Sequence, residues 1–106
     1  MAAVPDGVRV LVVDDEPSIC RALQIAFTRN GYDVRAVGSG ETALWLLRTE
    51  QFDCMVLDLR VPDIRGDVLF ELGASLQPQL RTNTVFTTGV ASPFTRPDSS
   101  PVAARP

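Results

Sequence analysis

A sequence of 106 residues has room for one small domain, and its hydrophobic content of 45% suits a soluble globular chain with a modest core. The formal charge is −3, and all ten basic residues are arginine, which gives no electrostatic basis for binding nucleic acid or an anionic membrane. No apolar run approaches the ~18 residues of a membrane span, and Met1 to Gly7 lacks the basic-then-apolar pattern of a secretory signal, so a cytoplasmic location is the default expectation.

In chain order, Val8 to Val13 is β-branched and almost wholly apolar, which predicts a strand buried on both faces, as in parallel sheets. Asp14, Asp15 and Glu16 end it abruptly. From Pro17 to Asn30 the residues Ile19, Ala22, Leu23, Ala26 and Phe27 recur at helical spacing. Pro17 suits a first helical position, and Asn30-Gly31 is a stop. Cys20 and Cys54 lie far apart and outside any CxxC pattern, and read as two reduced, buried small hydrophobes.

Tyr32 to Val37 is a second strand. Ser39 can cap the next helix, which runs to about Arg48 with Ala43, Leu44 and Leu47 on one stripe. Trp45 reads as a partly buried anchor of that helix. Gly38-Ser39-Gly40 lacks a third glycine and reads as a cap and turn, not a nucleotide loop. Phe52 to Leu57 is a third buried strand, ending at Asp58, and Pro62 and Gly66 punctuate the loop that follows. A helix from about Asp67 to Leu76 is expected to turn Val68, Leu69, Leu72 and Leu76 inward. Thr84 to Thr88 is a fourth strand. The alternation of strands and helices predicts a parallel sheet covered on both faces.

After Gly89 the periodicity ends. Residues 90–106 hold Pro93, Pro97, Pro101 and Pro106, four of the eight prolines, and are expected to form a disordered tail. The expected domain therefore spans residues 1–89.

Ligands of open parallel sheets bind at the carboxyl ends of the strands. Two strands here end in acids, Asp14-Asp15 and Asp58. If those strands are neighbours, three carboxylates meet. Two carboxylates ~5 Å apart repel by roughly 3 kcal/mol at an effective dielectric of about 20, so a partner such as a hard divalent cation is required to offset them.

The segments VLVVDDEPSICRAL, VLDLRVPDIRG and VFTTG, in this order and spacing, resemble the bacterial two-component response-regulator receiver domain over residues 8–89. The resemblance implies a flavodoxin-like, doubly wound α/β fold, truncated after the fourth strand, with strand order 2-1-3-4. It implies that Asp58 is the phosphoacceptor and takes a phosphoryl group from a sensor histidine kinase or phosphotransfer protein with Mg²⁺. Asp15 then matches a direct metal ligand, Asp14 an acid acting through water, and the backbone carbonyl of Arg60 a third protein ligand. Thr88 matches the hydroxyl that senses the phosphoryl group. Thr87 is adjacent, but alternation turns it to the opposite face from Thr88. Arg60 and Arg65 flank the loop and are expected to be mostly solvated.

The pattern departs from the family after the fourth strand. A complete receiver continues with a helix, a fifth strand ending in Lys-Pro and a last helix, whereas this sequence contains no lysine. An exposed fourth strand and an under-covered first helix are then expected to favour self-association. The chain is not expected to be an enzyme in its own right. A metal-dependent phosphohydrolase would want a second Asp two residues after the first, and the sequence reads Asp58-Leu59-Arg60. The alternative left open is a degenerate receiver that serves as a protein-binding module without phosphorylation.

Overall fold

The computed structural model describes residues 7–87. Four strands, β1 (Arg9–Val13), β2 (Asp33–Val37), β3 (Cys54–Asp58) and β4 (Thr84–Thr87), alternate with helices α1 (Pro17–Arg29), α2 (Gly40–Thr49) and α3 (Gly66–Leu76). All pairings are parallel, in the order β2-β1-β3-β4. This is the doubly wound arrangement and strand order expected from the sequence. A short 3₁₀ turn, Pro78–Arg81, precedes β4. The expected tail over residues 90–106 lies outside the described residues.

The local chemistry explains most boundaries. Pro17 opens α1, where a missing N–H costs nothing. After Arg29 the chain turns through Gly31 at φ 92°, a left-handed conformation that glycine adopts without strain. Ser39 Oγ accepts from the Thr42 amide at 3.2 Å and caps α2.

The core lies between the sheet and the α2–α3 layer. Leu11 and Val13 from β1, Met55 and Leu57 from β3, Leu46 and Leu47 from α2, Leu69 from α3, with Phe52 and Leu80, form one buried cluster. Gly73 lets α3 lie close to α2, since a Cβ there would stand 3.3 Å from Leu47 Cδ1. Gln77 holds the lower edge of this layer together. Its Oε1 accepts from the Phe52 amide at 2.7 Å, and its Nε2 donates to the carbonyls of Leu47 at 2.8 Å and Glu50 at 2.6 Å. Arg9 works nearby on the rim, with its guanidinium on Asp33, Glu50 and the Gln51 carbonyl and stacked over the Phe52 ring.

The first helix is under-covered, as expected, and two other packing expectations are corrected. Helix α1 has no fully buried residue, although Leu23 and Phe27 are half-buried. In α3 only Leu69 of the expected stripe is buried; Val68, Leu72 and Leu76 are exposed, and the helix turns Gly73 and Ala74 inward instead. Trp45 is 61% exposed, because α2 buries Ala43, Leu46 and Leu47 and position 45 falls off that stripe. Helical period shows which residues share a face but does not supply a neighbour to cover it. The two cysteines are half-buried and free.

Candidate functional site

The site is built by register. In the β1–β3 pairing Val13 stands opposite Leu57, so Asp14 and Asp58 are the next residues along adjacent strands. The same level is continued on one side by the Asp14 amide donating to the Val37 carbonyl at 3.0 Å. On the other side Asp58 is in register with Thr87 of β4. The strand-end acids expected from the sequence are therefore neighbours.

One carboxylate oxygen from each of Asp14, Asp15 and Asp58 lies within 4.8 Å of the others. Asp14 and Asp58 are each only 2% exposed, whereas Asp15 faces solvent. Both buried carboxylates are aimed by their own chain. Asp14 Oδ1 accepts from the Glu16 amide at 2.9 Å, and Asp58 Oδ1 accepts from the Arg60 amide at 2.9 Å. These are Asx turns, in which an acid accepts the N–H two residues on. Burial pushes the Asp14 carboxyl above its usual range; the Glu16 amide opposes this, and the charges of Asp58 and Asp15 add to it. An all-oxygen set of this kind, two buried members and one open to water, suits a hard divalent cation.

Several nearby residues support the site: Cys20 and Gly66, which the sequence marked only as a small hydrophobe and a loop glycine, and Asp63, which it did not single out. Cys20 Sγ donates to the Asp14 carbonyl at 3.0 Å and fastens α1 to the acidic turn. Burial, then the Asp14 charge, raises the Cys20 thiol pKa, so it stays a neutral donor. Asp63, in the loop after Asp58, accepts from the Gly40 amide at 2.8 Å and the Glu41 amide at 2.9 Å, capping α2 from outside it. Those amides hold the Asp63 carboxyl below its usual range. Gly66 is required by close approach, because a Cβ there would stand 2.7 Å from Leu59 Cα. Only the glycine had a legible signal, since Asp63 finds its partners more than twenty residues away.

Of the remaining expectations, Arg60 contributes its amide to Asp58, and its side chain is exposed. Arg65 pairs with exposed Asp67 at 2.7 Å and is solvated as expected. Thr88 lies outside the described residues. Alternation separates Thr87 from Thr88, yet register partners in a sheet project from the same face, which puts Thr87 on the side of Asp58. The Thr87 Oγ1 atom is buried and has no hydrogen-bond partner among the described residues.

Two concavities matter. One, of about 400 Å³, opens beside Asp14 and Asp15 between Pro17, Cys20 and Gly38. A larger and more apolar groove, of about 610 Å³, runs between α3 and β4, lined by Leu59, Val68, Phe70, Leu72 and Phe86 with Asp67 and Glu71, and includes none of Asp14, Asp15 and Asp58. The smaller one touches the acidic cluster through Asp14 and Asp15 and does not include Asp58. No helix among the described residues is long and apolar enough to cross a membrane.

A 2-1-3-4 parallel sheet with three aspartates meeting at the carboxyl ends of its middle strands defines a flavodoxin-like module built around an acidic crevice. Residues 10–99 match the response regulator receiver domain family, and the chain belongs to that family. It is 43% identical over 70 residues to the two-component response regulator ORR24 of Oryza sativa subsp. indica, an alignment covering 64% of this chain and 11% of the rice protein. The chain spans between 11% and 28% of the length of the curated relatives it matches. Among solved structures it resembles a CheY-like receiver domain protein of Methanospirillum hungatei, with a TM-score of 0.75 and 28% identity, over 82% of this chain and 68% of that one. A Burkholderia pseudomallei response regulator, solved with a phosphorylated aspartic acid, calcium and citrate, gives a TM-score of 0.71 and 32% identity over 79% of this chain and 48% of that one. Response regulator TrrA of Thermotoga maritima, solved with Mg²⁺-BeF, gives 0.62 and 31% over 66% of this chain and 61% of that one.

Proposed function

We propose that the chain is a phosphoacceptor that takes a phosphoryl group onto Asp58 from a phosphohistidine of a sensor histidine kinase or phosphotransfer protein. The observation that carries this reading is the meeting of Asp14, Asp15 and Asp58 within 4.8 Å at the mouth of the sheet. The phosphorylated aspartate of the Burkholderia relative supports it. An oxygen of Asp58 forms a bond to phosphorus while the P–N bond to the donor imidazole breaks. The imidazole keeps the bonding electron pair and takes a proton from solvent. The Arg60 amide holds Asp58 Oδ1, so the other oxygen is the one free to attack.

Asp15 and Asp58, with Asp14 through water and the Arg60 carbonyl, are the groups that would hold Mg²⁺, in keeping with the Mg²⁺-BeF complex of the Thermotoga relative. The ion would screen the repulsion between carboxylate and phosphoryl oxygens. The chain acts stoichiometrically, not as a turnover enzyme, and works in the cytoplasm.

Incubation with acetyl phosphate and Mg²⁺ tests the reading. An adduct of one phosphoryl mass on Asp58, labile to hydroxylamine and lost in Asp58→Asn and with chelator, is expected. Absence of any adduct would leave a docking module without phosphorylation. Self-association is also proposed. Strand β4 is the sheet edge among the described residues, with Val85 62% exposed, and α1 has no fully buried residue. Sedimentation should show mass rising with concentration; a compact monomer throughout would refute it.

A further inference from the structure

Asp14, Asp58 and Thr87 form a row across the carboxyl ends of three adjacent strands, set by the β1–β3 and β3–β4 registers. Acids flank Asp58 on one side of the row, and a hydroxyl stands on the other. Register partners in a sheet lie about 5 Å apart and project from one face. The hydroxyl is an anomaly as it stands. Ser39, Thr42, Thr49 and Thr84 all engage their hydroxyls with a neighbour. Only Thr87 Oγ1 is buried without a partner among the described residues. A buried hydroxyl with nothing to donate to is unfavourable, and a valine of the same shape would fill the position without that cost. The position therefore makes chemical sense if a partner arrives.

The resemblance to the receiver family assigns the phosphoryl-sensing hydroxyl to Thr88 and nothing to Thr87. We propose that Thr87 is a second phosphoryl-contacting residue, its hydroxyl lying orphaned beside Asp58 until a phosphoryl group there supplies the acceptor oxygen. This rests on the reading of Asp58 as the acceptor. A phosphoryl group on Asp58 is dianionic, so a hydroxyl donating to it makes a charge-assisted bond, stronger than one between neutral groups. Its place opposite the acids lets cation and hydroxyl hold the group from two sides.

The test uses the full chain and the variants Thr87→Val, Thr87→Ala and Thr87→Ser, with thermal melting, binding of Mg²⁺ alone, and Mg²⁺-dependent binding of fluoroberyllate as a phosphoryl mimic. Thr87→Val should melt at or above the parent temperature and bind Mg²⁺ unchanged, yet bind fluoroberyllate about tenfold more weakly. Thr87→Ser should restore binding to within about twofold of the parent, because it keeps the donor. If Thr87→Val fails to fold, Thr87→Ala compared with Thr87→Ser at matched stability gives the same contrast. Fluoroberyllate binding that is unchanged in the valine or alanine variants would overturn the role of Thr87 and leave Asp58 standing as acceptor. A parent chain that neither binds fluoroberyllate nor takes a phosphoryl group from acetyl phosphate would remove both readings together.

Discussion

The two faces of the sheet are built to different standards. Toward α2 and α3, nearly every inward side chain is sealed: Leu11, Met55, Leu57, Leu69 and Leu80 all have zero exposure. Toward α1, Val10 and Val12 are sealed, but the helix above them buries nothing completely, and Val85 on β4, at the far edge of the sheet, stands open. The acid row shares the second face, at its top. Stability thus comes mainly from one side of the molecule and chemistry from the other, so damage to each can be separated experimentally.

The sharpest way to break this contrast is to cut a cavity on each side. Leu69→Ala should cost about 2–5 kcal/mol in urea unfolding, because the side chain is fully enclosed. Leu23→Ala, on half-buried α1, should cost less than about 1 kcal/mol. Equal losses would mean that the faces are not different.

Gly66→Ala should follow, at about 1–3 kcal/mol, since its Cβ would meet the Leu59 backbone and no side chain can swing aside. Gln77→Leu should cost about 1–3 kcal/mol by leaving the Phe52 amide and the Leu47 and Glu50 carbonyls without their partner. Gln77 lies away from the acids, so Mg²⁺ affinity measured well below the melting temperature should survive Gln77→Leu, whereas Gly66→Ala presses on Leu59 between Asp58 and Arg60 and should weaken it.

The smallest effect is one of pH. The amides of Gly40 and Glu41 depress the folded pKa of Asp63, so its contribution is complete above the unfolded carboxylate value and disappears as pH falls through the lower folded one. Acid melts of the parent should show this loss, and Asp63→Asn should flatten the curve over that acid window alone.

The sequence made the strands and the acid pair legible because both are local. A β-branched run stopped by two aspartates says strand and strand end within eight residues. That Asp14 meets Asp58 required only the order of the strands. The covering of α3 was misread because the stripe of Val68, Leu72 and Leu76 is a local pattern, whereas burial depends on what stands opposite. Gln77 and Asp63 were invisible for a related reason. Each is an ordinary polar residue beside a proline, and its partners arrive from segments 25 and 23 residues away.

One consequence concerns the short connection from Asp58 to Gly66. It is largely exposed, yet anchored at its start through the Arg60 amide, in its middle by Asp63 gripping the first turn of α2, and at its end by Gly66 pressed on Leu59. A protease needs several residues of backbone that it can pull straight into its cleft. This strap offers no such slack, so limited digestion should spare it although it lies in plain view.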